Sequence, residues 1–303
     1  MSIRPTLETR QAIPTMEGAG VKLHRAFGFQ DPSELDPFLL FDDFRNDREE
    51  DFAKGFPWHP HRGIETITYV LDGSVAHADS LGNTGDLNAG DVQWMTAGSG
   101  ILHQEMPRGN ANGQMHGFQL WANLPGAMKM TAPRYQDVEG KDIPTVIDDD
   151  GTSVRVIVGD FWGKKGPVDG IAADPQYLDI SVPAGLSKTF KIDTYRRAFA
   201  YVFAGAGRFS DAAIPTGILL EKEILGEELN IRDMSGNRTL IRFGTGDEVT
   251  VQAGDEGIRF LLISGAPIEE PVAWHGPIVM NTQAELRQAM SDLNNGTFIK
   301  PAH

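Results

Sequence analysis

Trp58-His59-Pro60-His61-Arg62-Gly63 and, further along, Gly100-Ile101-Leu102-His103-Gln104-Glu105-Met106-Pro107 are the two stretches that organise this sequence. In an extended segment successive side chains alternate between faces, so His59 and His61 share one face, and His103 and Glu105 share another. Two such pairs on adjacent strands of a small barrel converge on one point. Three neutral imidazole nitrogens and one anionic oxygen then suit a divalent transition metal of the iron, manganese, nickel or zinc type.

The surrounding sequence has the texture of many short strands. Glycine is abundant, 34 of 303 residues, and falls between runs rich in Val, Ile, Thr, Phe and Tyr. Ile64 to Leu71 reads as a strand ending in Asp72-Gly73, a dipeptide suited to a hairpin turn. Ser153 to Val158, Tyr177 to Val182, Phe199 to Phe203, Glu248 to Gln252 and Arg259 to Ile263 read the same way. Helical periodicity is clear in one place. Thr282 and Glu285 form a capping box before Leu286, Met290 and Leu293, which predicts a helix over 283–294 ending at Asn294-Asn295-Gly296. A polar, turn-forming break over 138–152 divides the chain into a domain over 1–140 and a second over 141–303 that includes the helix. Both are expected to be all-β, and each carries a Gly-Asp pair within a strand-turn-strand unit, Gly90-Asp91 and Gly254-Asp255.

Composition narrows the chemistry. Without cysteine there are no disulfides, Cys-ligated zinc sites, iron–sulfur clusters or thiol nucleophiles. The 27 Lys and Arg residues against 42 Asp and Glu residues, a net charge of −15, argue against direct binding to nucleic acid or an anionic membrane. Met1 to Thr15 has no apolar stretch of the signal-peptide kind, and no apolar run approaches the ~18 residues of a membrane span. A cytoplasmic protein is expected.

The histidine motifs do not stand alone. With Glu65-Thr-Ile-Thr-Tyr-Val70, Asp79-Ser-Leu-Gly-Asn83, Gly90-Asp-Val-Gln-Trp-Met-Thr-Ala-Gly98, Leu35-Asp-Pro-Phe-Leu-Leu40, His116-Gly-Phe-Gln-Leu-Trp121 and His275-Gly-Pro-Ile-Val-Met-Asn281, the chain resembles the pirin family, a branch of the cupin superfamily. The likeness is dense over about residues 20–135 and sparse beyond. It implies a bicupin, two antiparallel β-barrels in tandem, with metal in the N-terminal barrel on His59, His61, His103 and Glu105. Fe2+ is the first choice of metal, with Mn2+, Ni2+, Co2+ or Zn2+ as alternatives. The resemblance also implies two roles. Some bacterial relatives are quercetin 2,3-dioxygenases, which take an aromatic substrate and O2. Others are regulators that dock on a protein partner, including transcriptional co-regulators and a bacterial member that binds a metabolic enzyme.

Several residues carry alternatives. The general cupin pattern nominates Glu65 as a ligand, whereas the pirin pattern uses Glu105. On a straight strand Glu65 shares the parity of His59 and His61 but lies about 13 Å beyond His61, so it is read as a neighbouring or pocket group. In the dioxygenase reading, Glu105 accepts the proton of a flavonol hydroxyl as general base, and ring opening by O2 releases carbon monoxide. Tyr69, Trp94, Met95 and Phe118 are the candidate pocket lining. Many relatives carry Arg where this chain has Ser99, a change read as altering charge at the pocket mouth. His116 is read as a core or supporting residue, and His24, His77, His275 and His303 as structural or surface residues. Asp42-Asp43 and Asp148 to Asp150 are read as solvated turns. The second barrel lacks a His-x-His pair and is expected to be metal-free.

Overall fold

The computed structural model describes residues 2–29, 32–210 and 234–300; His303 lies outside them. The chain is all-β, with one α-helix among the described residues, and forms two compact units. No helix among the described residues is long and apolar enough to cross a membrane.

The unit that carries the histidine motifs comprises Ile13–Ile143, Gly170–Ala173 and Ile268–His303. It contains two antiparallel sheets. The four-stranded sheet runs Phe56–His61, Ile101–Arg108, Ser74–Asp79, Thr84–Asn88. The seven-stranded sheet runs Arg134–Val138, Val92–Thr96, Ile64–Asp72, His116–Asn123, Phe38–Asp43, Val21–Phe27, Ile13–Glu17. Val21, Leu23, Phe44 and Val70 meet Val75 and Leu87 in one apolar cluster, so side chains from both sheets fill the space between them.

Asp72-Gly73 is not the hairpin turn that its sequence suggests. Ile64–Asp72 lies in the seven-stranded sheet and Ser74–Asp79 in the four-stranded one, so the dipeptide is the corner where the chain changes sheets. Gly73 has φ +75°, and a Cβ there would lie 2.5 Å from the Arg108 carbonyl oxygen. A residue with a side chain would be strained and would collide with that backbone.

The other unit comprises Met1–Ala12, Pro144–Asp169 and Asp174–Pro267. Its main sheet is antiparallel and is organised by two long strands, Arg197–Phe209 and Glu248–Gly265. The stretches read from sequence as two strands, Glu248 to Gln252 and Arg259 to Ile263, form one continuous strand, with Gly254-Asp255 inside it. This strand bends: its first part pairs with Ser187–Lys191 and its later part with Gln176–Val182. Gly257, at φ +77°, allows the bend. Val154, Leu178, Ile180, Phe190, Val202 and Phe260 lie in the core of this unit.

The units are not a simple halving of the chain. Thr6–Gln11 pairs with Thr239–Phe243 and so joins the unit built from the later sequence. The helix Gln283–Asn294 has the bounds and the capping box expected, Thr282 Oγ1 accepting from the Glu285 N–H and Glu285 Oε2 from the Thr282 N–H. It packs, however, in the histidine-bearing unit rather than with the second barrel. Its Leu286 and Ala289 cluster with Ile278, Met280 and Phe298, and the hairpin Ala273–His275/Ile278–Met280 attaches through the Val279 N–H to the Arg62 carbonyl at 3.0 Å. Local periodicity specifies a helix; which barrel covers its apolar face is set by long-range packing.

The two acidic runs also part company. Asp148 and Asp150 flank a turn and both pair with Lys188. Asp42 and Asp43 end a strand and are buried, 5% and 0% exposed. Arg25 holds Asp42 through two parallel bonds of 2.8 and 2.7 Å, and Arg45 pairs with Asp43. An ion pair is what allows carboxylates in such positions.

Candidate metal centre

Phe56–His61 is the edge strand of the four-stranded sheet, a position that tolerates Pro57 and Pro60, which have no N–H to give. It pairs antiparallel with Ile101–Arg108, with Ile101 opposite His61 and His103 opposite His59. Cross-strand neighbours share a face, so three imidazoles meet. Their ring centroids lie 4.4 to 5.0 Å apart, and one candidate ligand nitrogen from each falls within 4.8 Å of the others.

This donor set fits a metal ion. His103 is 1% exposed, yet neither ring nitrogen has a hydrogen-bond partner. His61 is equally buried, and its Nδ1 is unpartnered. Buried polar groups are rarely left unpaired without a reason. His59 Nδ1 lies 2.8 Å from the Pro57 carbonyl, a contact that requires Nδ1–H and leaves the Nε2 lone pair free. Burial, and for His61 and His103 the adjacent imidazoles, pushes all three rings below their ordinary pKa. Neutral rings with available lone pairs are the form that binds metal.

Glu105 sits on the same strand as His103 and is 7% exposed. It lies outside the close group of three nitrogens. The register with Phe56–His61 shifts between His103 and Glu105, which places Glu105 opposite Phe56. Burial pushes its carboxyl up to about 7, against a lowering hydrogen bond from Thr68 Oγ1 at 3.1 Å. That hydroxyl lies 2.7 Å from Gln119 Oε1 as well.

Glu65 is placed differently from the straight-strand reading. Gly63, at φ +78°, interrupts the strand before Ile64, so side-chain parity does not carry through from His61. Glu65 is directly opposite Thr96 and accepts from its hydroxyl at 2.7 Å. Thr68, on the opposite face by alternation, is the residue of this strand that reaches Glu105.

A cavity of about 440 Å³ opens on His59, His61, Thr68, Gln119 and Glu105. Its apolar wall is made by Phe29, Phe44, Phe52, Phe56, Trp58 and Trp121, and Arg25 and Asp42 also line it. None of the four lining candidates read from sequence does so. Tyr69, Trp94, Met95 and Phe118 are at most 1% exposed and lie in the packed interior. Ser99 is not at the mouth either; it is 6% exposed and its carbonyl accepts from Arg62 Nε at 2.7 Å. His116 packs on Phe118, its Nε2 3.9 Å from Asp43. His77 is closer to the centre than expected. Its ring lies 5.6 Å from that of His103, and its Nε2 is 3.1 Å from the Tyr135 hydroxyl. The pairing of His77 with Glu105 across adjacent strands brings it there, and no spacing in the sequence signals it.

Comparison with known proteins agrees with this geometry. The Pirin family profile matches residues 20–122, and that of the Pirin C-terminal cupin domain matches residues 177–299. A pirin-like protein of Caulobacter vibrioides is 41% identical over 299 residues, covering 98% of this chain and 100% of that protein. The chain belongs to the pirin family. Human pirin is 39% identical, covering 92% of this chain and 88% of that protein. The crystal structure of a quercetin 2,3-dioxygenase from Acinetobacter baumannii superimposes with a TM-score of 0.83 at 31% identity, over 98% of this chain and 99% of that one. The two antiparallel units of this pirin-family protein are thus cupin domains, as the resemblance implied. The donor-rich cluster is in the unit that carries the Pirin match.

Proposed function

We propose that this pirin-family protein is a metal-dependent dioxygenase that opens flavonols, or related enol and catechol compounds, with O2. In this reading His59, His61, His103 and Glu105 hold the metal, with Fe2+ the first choice and Mn2+, Ni2+, Co2+ or Zn2+ as alternatives. The observation that carries it is the cluster of three imidazoles, His61 and His103 buried and His59 half-buried, of which His59 and His61 line an aromatic-walled cavity of about 440 Å³. Such a cavity suits a flat aromatic ligand. The likeness to the Acinetobacter quercetin 2,3-dioxygenase over nearly the whole chain supports the same chemistry.

A bound divalent ion supplies Lewis acidity that acidifies the substrate's enolic hydroxyl. Phe44, Phe52, Phe56 and Trp121 stack against the rings and exclude water. Glu105 accepts the hydroxyl proton at its carboxylate, which the Thr68 hydroxyl orients from 3.1 Å. O2 adds to the resulting enolate. The two ring bonds to the hydroxyl-bearing carbon break, and that carbon leaves with its own oxygen as carbon monoxide. Both atoms of O2 remain in the product ester and carboxyl group, and the proton on Glu105 returns to the latter.

The test is anaerobic reconstitution with ferrous iron, and separately with manganese, followed by quercetin absorbance after O2 is admitted. Loss of absorbance with release of carbon monoxide is the expected result. His61→Ala should abolish metal content in elemental analysis, and full occupancy in that variant would overturn the ligand assignment. If metal binds but neither quercetin nor other flavonols are consumed, the dioxygenase reading fails.

A further inference from the structure

Arg62 follows His61 directly and is 2% exposed. Its guanidinium makes three hydrogen bonds, from Nε to the Ser99 carbonyl at 2.7 Å, from Nη1 to Asp292 Oδ2 at 2.8 Å and from Nη2 to the Phe298 carbonyl at 2.8 Å. The Phe298 ring covers it, with Cζ 4.1 Å from the ring centroid. Ser99 lies just ahead of the strand Ile101–Arg108, which carries His103 and Glu105. One side chain therefore begins at the end of one histidine-bearing strand, bonds to the start of the other, and ties both to the C-terminal segment.

The backbone is locked to that segment as well. The Arg62 carbonyl accepts from the Val279 N–H, and Lys129 Nζ bridges the Gly63 and Val279 carbonyls at 2.8 and 2.9 Å. A Cβ on Gly63 would lie 2.0 Å from the Val279 oxygen, and one on Gly100 would lie 2.9 Å from the Phe298 oxygen. Both ligand strands thus press on residues 279–298 with no space between. Asp292 is itself fixed, its Oδ1 accepting from Gln288 and its Oδ2 from Lys300.

Imidazole donors hold a metal well only when the surrounding residues fix them to within about 0.5 Å. We infer that Arg62 is a positioning residue of the metal centre. Through Asp292 and the Phe298 carbonyl, the C-terminal segment sets the spacing of the two strands that bear the three histidines, and so sets metal affinity. This rests on the reading of those histidines as ligands.

The experiment titrates full-length protein with Co2+, following affinity by chelator competition and the visible Co2+ absorption, beside thermal unfolding of the metal-free protein. Asp292→Asn and Arg62→Lys should each weaken Co2+ binding by about tenfold or more and shift the visible band. Asp179→Asn, which weakens the part-exposed Arg259–Asp179 pair of the other unit, should leave affinity and spectrum unchanged. Should Arg62→Lys fail to fold, Phe298→Leu removes the covering ring and keeps the carbonyl, with an expected threefold or so loss of affinity. Affinity within about twofold of wild type and an unshifted band in the folded variants would overturn the inference. No Co2+ uptake by the wild type would overturn the ligand reading instead.

Discussion

Thr68 Oγ1 lies 3.1 Å from Glu105 Oε1, a hydrogen bond that joins the seven-stranded sheet to the four-stranded one across the barrel interior. The same hydroxyl is 2.7 Å from Gln119, its directly opposed neighbour. Thr68→Val keeps the shape and removes the bond. Stability should fall by about 1 kcal/mol, while kcat for flavonol consumption falls by about tenfold, because the carboxylate loses the group that orients it. Thr68→Ser should restore most of kcat. Equal kcat for Thr68→Val and wild type, at equal metal content, would separate Thr68 from the chemistry.

Lys129 is 2% exposed and its Nζ reaches three oxygens, of Gly63, Asn123 and Val279, at 2.7 to 2.9 Å. Three acceptors match the three protons of an ammonium. Lys129→Met leaves all three oxygens unpartnered and should cost about 2–4 kcal/mol in chemical denaturation.

The same lysine has a pH signature. Burial pulls its pKa down from 10.5 to about 7, so between those values the unfolded chain binds more protons than the folded one. Folding stability from this group therefore rises with pH from about 7 towards 10.5 and is least below 7. The stability difference between wild type and Lys129→Met should grow over that window, and a difference that shrinks as pH rises would contradict the assignment.

Arg25 and Asp42 form a two-pronged pair on the cavity wall, with Glu17 on the same guanidinium at 2.8 Å. Asp42→Ala leaves two guanidinium N–H groups without their acceptors while Glu17 still pairs with Nη1, so it should cost about 1–3 kcal/mol. Replacing both, as Arg25→Met with Asp42→Leu, should recover much of that loss. Urea unfolding of the single and double variants gives the coupling.

Legibility followed the range of the interactions concerned. The helix over 283–294 was readable to its ends, because a capping box and an apolar stripe are local signals. The His-x-His and His-x-Glu pairs were readable because alternation along one strand is local too. Parity failed across Gly63, where a positive φ interrupts the strand and the missing side chain leaves room for the Val279 backbone. It therefore misplaced Glu65 and passed over Thr68. The cavity lining was misread for a related reason: an aromatic residue in a strand is apolar on either face, and only the sheet on which it packs decides whether it lines the cavity or fills the core.

From the sequence alone came an all-β chain in two parts, chemistry without thiols, and the residue types of a metal centre, all properties of composition and short spacing. The three-dimensional fold decided that His59, His61 and His103 meet while Glu65 and Glu105 both lie outside that close group. It also decided that Asp42 and Asp43 are buried in ion pairs with Arg25 and Arg45, and that Val279, Asp292 and Phe298 bond to Arg62 beside the histidine-bearing strand. These depend on strand register and on contacts between residues as distant as Arg62 and Asp292. Such contacts form only when the whole barrel closes, and no local pattern encodes them.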